Sequence, residues 1–149
     1  MRRLVVGLVV ISLISFGLAR GGLDLAVSRS LASGSYAGRL GFYFEGRPLA
    51  VRGDLILGEG GGLLGGVDLL WRPLGDFFAE PYLGFGVSTV IARNDPAGGW
   101  TMDVGAASYA VATLGLALRF GGFRPYADFS YSYGASPYGR VSVGIVWPW

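Results

Sequence analysis

The chain has 149 residues, with 12 basic against 10 acidic side chains, 27 glycines, no histidine and no cysteine. This composition excludes disorder, a disulfide framework or a lipidated cysteine, and any chemistry that needs a histidine base, a histidine metal ligand or a thiol nucleophile. Mean hydropathy is +0.49, yet after Leu18 no segment approaches a second long apolar helix, which is the pattern of a transmembrane barrel rather than a helical membrane protein.

Met1-Arg2-Arg3 forms a positive start, Leu4 to Leu18 an apolar run, and Gly17-Leu18-Ala19 a small-residue cleavage site. This predicts a signal peptide over residues 1–19 and a barrel over 20–149. The apolar run, at about 15 residues, falls short of the roughly 20 that a spanning helix needs. Losing Arg2 and Arg3 would leave ten basic against ten acidic residues, and a neutral chain offers no electrostatic footprint for nucleic acid.

Period-two alternation then recurs along the chain between turn residues. Leu23, Leu25, Val27 and Leu31 share one face of the first predicted strand, opposite Asp24, Ser28 and Ser30. The second strand sets Tyr36, Leu40, Phe42 and Phe44 against Arg39, Tyr43 and Glu45, and Gly46-Arg47 is expected as a two-residue turn. The third carries Leu49, Val51, Leu55 and Leu57 outward with Arg52 and Asp54 inward, and the fourth Leu63, Val67, Leu69 and Trp71 outward with Asp68 and Arg72 inward. Leu83, Phe85, Val87 and Ile91 alternate with Glu80, Tyr82, Gly84, Gly86 and Ser88 in the fifth. Arg93 to Asp103 is expected as the longest loop. The sixth strand is clear only where Leu114, Leu116, Leu118 and Phe120 alternate with Gly115, Ala117 and Arg119, followed by a Gly121-Gly122 turn. Phe123, Ala127, Phe129, Tyr131 and Tyr133 face away from Asp128, Ser130 and Ser132 in the seventh. The eighth has Val141, Val143, Ile145, Trp147 and Trp149 on one face.

The expected fold is therefore all-β, an eight-stranded antiparallel up-and-down transmembrane β-barrel. Eight strands enclose a space wide enough only for side chains, too little for the Leu, Phe, Trp and Ile collected on one face. That face must be the outside, with Gly, Ala, Ser, Tyr and charge inside. Aromatic girdles are expected at both rims: Phe44, Trp71, Phe78, Phe120, Phe123, Trp147 and Trp149 at the end bearing the termini, and Tyr36, Tyr109, Tyr133 and Tyr138 at the other.

Turn lengths imply which inward residues face each other. The expected lumenal ion pairs are Arg39 with Asp54, Arg52 with Asp68, and Arg72 with Glu80, with Asp24 opposite Tyr43; Arg119 and Asp128 add lumenal polar groups. Such pairs neutralise charge in a narrow core, since an unpaired buried charge costs several kcal/mol. Two-carboxylate hydrolysis would fall to Asp54 with Asp68, and the reading here is that the chain is not an enzyme. Gly60-Gly61-Gly62 and Gly84-Phe85-Gly86 precede no helix, so they read as turns and close packing rather than a phosphate cradle.

The segments Glu80-Pro81-Tyr82-Leu83-Gly84-Phe85-Gly86 and Arg124-Pro125-Tyr126-Ala127 resemble the Pro-Tyr strand starts of small Gram-negative outer-membrane barrels of the OmpA/OmpW-like superfamily. The end of the chain, with Val143, Ile145, Trp147 and Trp149 at alternate positions, resembles the C-terminal β-signal of such proteins, departing from it at Pro148, which removes a ladder donor. The resemblance implies insertion by the barrel-assembly machinery and outer-membrane lipid as the surrounding partner; with the sequence stopping at Trp149, the peptidoglycan-binding domain that follows the barrel in OmpA-type proteins is expected to be absent. A structural barrel with a polar, salt-bridged, sealed lumen is the expected function, without cofactor or metal, and a monomer is expected. The alternatives are a narrow pore or lateral conduit for small or hydrophobic solutes, as OmpW-like relatives imply, and surface binding through Arg93 to Asp103 with Trp100 as the contact residue.

Overall fold

The computed structural model describes residues 20–46, 48–58, 61–74, 77–95 and 97–149. The expected signal peptide lies outside the described residues, as does Arg47 of the expected Gly46-Arg47 turn.

The strands are β1 (Arg20–Ser30), β2 (Tyr36–Glu45), β3 (Leu49–Leu57), β4 (Gly62–Trp71), β5 (Ala79–Asp95), β6 (Gly99–Met102), β7 (Ser108–Leu118), β8 (Arg124–Tyr133) and β9 (Tyr138–Pro148). All pairings are antiparallel, and those of β4 with β5 and of β9 with β1 close the sheet on itself. Because β6 pairs only with the end of β5, the wall itself has eight strands in up-and-down order. Seven of them have 9 to 11 residues, the length with which a tilted strand crosses a hydrocarbon layer.

Alternation decides which side each residue takes. Leu25, Val27, Leu40, Phe42, Leu55, Leu69, Phe85 and Val143 are 45% to 69% exposed on the outside, whereas Asp24, Ser28, Arg39, Arg52, Asp68, Glu80, Ser130 and Ser142 are at most 7% exposed inside. Closure leaves no free strand edge within the eight-stranded wall; the β5–β6 extension beyond it keeps one.

Three of the four expected pairings differ in register. Glu45 pairs with Ala50, so the β2–β3 connection is longer than a two-residue turn and Arg39 faces Ile56 rather than Asp54. Pro48 has no N–H for the ladder; its carbonyl accepts from the Arg72 backbone N–H at 2.8 Å. In the first hairpin Asp24 faces Gly41, and Tyr43 faces Gly22, because the Ser30 N–H reaches the Ser35 carbonyl at 2.9 Å and sets the loop length. Trp71 pairs with Leu83, which brings Arg72 level with Tyr82 rather than Glu80. Arg52 opposite Asp68 is found as expected. Each displacement is by two residues, so no side chain changes face.

The Gly121-Gly122 turn is tight: Phe120 and Phe123 exchange both backbone hydrogen bonds at 3.1 Å, and Gly121 takes a φ of 53°. Arg93 to Asp103, expected as a loop, is largely a hairpin. Here β5 runs 17 residues and pairs with β6, and Trp100 is exposed opposite Asn94.

Of the girdle residues, Phe44, Trp71, Phe78, Phe120, Phe123, Trp147 and Trp149 are exposed at the end bearing the termini, and Tyr36 and Tyr133 at the other. Tyr109 and Tyr138 do not belong to the outer girdle. They share parity with lumenal Val111 and Arg140, are partly buried, and meet edge-to-face at 5.6 Å in the mouth of the barrel.

Candidate functional site

The lumen holds the charged chemistry of the fold, in two connected groups. In the middle, the Asp128 carboxylate on β8 accepts from Arg52 Nη1 at 2.9 Å, Tyr82 Oη at 3.1 Å and Arg39 Nη2 at 3.4 Å. Arg52 Nη2 also donates to Asp68 at 2.7 Å. Arg39 donates to the Tyr126 hydroxyl, which donates to Asp24 Oδ1 at 2.5 Å. Arg39 Nε lies 3.9 Å from Asp54, so that expected ion pair forms diagonally at the edge of range. The two carboxylates named for a hydrolytic alternative, Asp54 and Asp68, are thus both engaged by arginines.

Toward the end bearing the termini, Glu45 accepts from Arg72 at 2.7 Å, and Arg124 and Arg119 lie at 2.6 and 3.5 Å. Glu80 is held between Arg72 and Arg119, and Arg72 also donates to the Tyr43 hydroxyl at 3.0 Å. Arg72 and Glu80 meet although they are not register partners, because a guanidinium on a three-carbon stem spans the two-residue offset. Asp24 and Tyr43 belong to different groups: Asp24 to the middle, Tyr43 to the rim.

Counting Arg140, which is buried beside Asp54, the inward cations among the described residues are Arg39, Arg52, Arg72, Arg119, Arg124 and Arg140. The inward anions are Asp24, Glu45, Asp54, Asp68, Glu80 and Asp128. The charges balance, as the low-dielectric interior of a narrow barrel requires.

Two glycines make the network possible. A Cβ on Gly144 would sit 2.5 Å from the Tyr126 hydroxyl, and one on Gly115 would overlap the Tyr82 ring. The phenols lie across these glycines to reach the central acids, which is a reason for glycine within a strand.

Sequence reasoning missed two features. First, Asp128 bridges to Arg39 on β2 and Arg52 on β3 across the lumen, 89 and 76 positions away in sequence. No turn-counting argument reaches such a pair. Second, the lumen contains apolar layers: Ile56, Leu64, Val90 and Ala37 pack at the end away from the termini, and Leu70, Val146, Ala50 and the phenols at the other. The signal for these was present in Leu55-Ile56-Leu57, Leu63-Leu64 and Leu69-Leu70, since consecutive apolar residues in a strand must occupy both faces.

Between the two ionic groups a cavity of 20 Å³ is lined by Asp24, Arg52, Glu80, Tyr82 and Tyr126 among others, room for about one water molecule. Above the Ile56 layer the mouth opens into a 370 Å³ vestibule bordered by Ser30, Arg93, Tyr109 and Tyr138.

The C-terminal residues of the expected β-signal end the closing strand. Val143 and Trp147 project outward, Ile145 is partly covered, and the Trp149 N–H donates to the Gly21 carbonyl at 3.0 Å, so pairing resumes beyond Pro148.

No family model and no curated protein matches the chain. Among solved structures, it is similar to the N-terminal β-barrel domain of Pseudomonas aeruginosa OprF, with TM-score 0.63, 17% identity and coverage of 87% of this chain and 97% of that one. It is likewise similar to Neisserial surface protein A, with TM-score 0.65, 12% identity and coverage of 88% and 96%. A third is Yersinia pestis Ail, an outer-membrane protein studied in a phospholipid bilayer nanodisc, with TM-score 0.58, 13% identity and coverage of 88% and 99%. The chain has the fold of the small eight-stranded outer-membrane β-barrels.

Proposed function

We propose that this chain is a structural outer-membrane β-barrel whose lumen is sealed by its own side chains. The observation that carries this reading is sidedness: the large apolar residues cover the outside of the wall, while balanced arginines and carboxylates fill the inside. Such a surface is stable only where its surroundings are as apolar as it is. Among the described residues no helix is long and apolar enough to cross a membrane. The long β5–β6 hairpin stands at the end away from the termini, which fits the outer side, because the longer loops of such barrels are extracellular. Lipid of the outer membrane is the partner of the wall, and the barrel-assembly machinery reads the alternation ending at Trp149 during insertion.

The small size of the central cavity and the apolar layer above it favour a sealed core over a conduit. Heat-modifiable migration of the protein from a membrane fraction tests barrel and location together. Planar-bilayer recording tests the seal: no discrete conductance steps are expected, and steps that persist in purified protein would overturn it.

A second reading is supported by Trp100, Met102 and Val104, which are 57%, 72% and 69% exposed on and beside the β6 hairpin. Surface binding through this hairpin predicts that deleting its tip abolishes a binding phenotype without altering heat-modifiability.

A further inference from the structure

The outer wall is not uniformly covered. On β2 the outward positions run Tyr36, Gly38, Leu40, Phe42, and Gly38 leaves a gap in which an added Cβ would meet nothing within 4 Å. Around it Leu25, Val27, Leu40, Leu55, Leu57 and Val143 line an open groove of 690 Å³. Register places Gly38 beside Val27 and Leu57, and Leu40 beside Leu25 and Leu55, so the groove has two rows of apolar side chains with a floor of backbone.

The next row toward the mouth carries a cation, Arg29. Arg29 faces outward, pairs in register with Tyr36 and Val141, and holds its guanidinium 5.6 Å from the centre of the Tyr36 ring. Among the described residues no carboxylate lies within ion-pair range of it, whereas the lumenal arginines lie beside acids. The exposed Ser33 and Ser35 hydroxyls lie on the adjoining loop, 2.6 Å apart. A cation held on an aromatic ring one strand row above an apolar groove matches a lipid that has an anionic head and a hydrocarbon tail.

We propose that this face binds one membrane lipid whose phosphate head carries net negative charge, its phosphate at Arg29 and an acyl chain over Gly38. The occupant is a lipid rather than a free phosphate or a protein segment, because the groove lies within the apolar band and is continuous with the cationic row. The proposal rests on the membrane reading above, and places the lipid in the leaflet nearest the β5–β6 hairpin.

The test is native mass spectrometry of the full refolded barrel with phosphatidic acid and, separately, phosphatidylcholine of the same acyl chains. The wild type is expected to retain one phosphatidic acid and little phosphatidylcholine. Arg29→Gln should lower retention roughly fivefold, about 1 kcal/mol for one basic residue near a lipid head. Arg29→Lys should keep most of it, and Gly38→Leu, which fills the groove, should lower it without touching the charge. Equal retention of the two lipids, or unchanged binding in both Arg29→Gln and Gly38→Leu, would overturn the proposal. All three substitutions lie on the outer face and leave the lumen intact, and heat-modifiable migration checks each variant. Loss of migration in the wild type would instead sink the membrane reading itself.

Discussion

Leu40 and Arg39 are neighbours in β2, yet they live in different solvents. Leu40 is 49% exposed on the outside of the wall; Arg39 is 3% exposed inside, held by Asp128 and Tyr126 and near Asp24 and Asp54. On the membrane reading proposed above, the outer face away from Arg29 and Gly38 asks only that a residue be apolar, because lipid tails conform to its shape. The lumen asks for a particular group at a particular place, since an unmatched charge there has no bulk water to relax into. One wall therefore carries two kinds of constraint, permissive outside and specific inside.

The largest expected effect comes from breaking the specific side. Arg52→Ala leaves Asp68 and Asp128 without their shared cation and should destabilise the barrel by about 3–5 kcal/mol, read as a lower urea midpoint for unfolding from vesicles. Placing a charge on the permissive side comes next: Leu40→Arg should cost about 2–4 kcal/mol if it lies near the bilayer midplane, in the same assay. An intermediate penalty of about 1–3 kcal/mol is expected for Gly115→Ala, whose new methyl overlaps the Tyr82 ring; the Tyr82 hydroxyl would be drawn from Asp128, and a tyrosine absorbance shift should accompany the lower midpoint. Smallest of all, Leu55→Ile should move the midpoint by no more than about 0.5 kcal/mol. If Leu55→Ile proved as damaging as Gly115→Ala, the outer face would be packed against something more exacting than lipid.

The same contrast explains what could be read from the residues alone. Face assignment was legible because it depends only on parity, and parity survived every two-residue register displacement at Arg39, Asp24 and Arg72. Register was not legible where it depended on turn length: Pro48 withdraws a donor and lengthens the β2–β3 connection, a local effect invisible to alternation. Arg52 with Asp68 could be anticipated because the connection between β3 and β4 has the length that the glycine-rich turn implies. The Asp128 hub could not, because which strands meet across a closed lumen is fixed by closure, not by any hairpin. The positions of Tyr109 and Tyr138 near strand ends point to the girdle, although their parity with Val111 and Arg140 turns them inward. Arg93 to Asp103 looked like a loop because glycine, proline and charge interrupt it, while the backbone pairing of β5 with β6 asks little of side chains.

Sidedness itself is open to direct measurement. The chain has no cysteine, so single cysteines at consecutive positions 39 to 44 of β2 can each carry a nitroxide in the reconstituted protein. Collision with lipid-dissolved oxygen should be high at Leu40, Phe42 and Phe44 and low at Arg39, Gly41 and Tyr43, a strict period of two. Oxygen access at the odd positions, or water-soluble quencher reaching Leu40 and Phe42, would contradict the account.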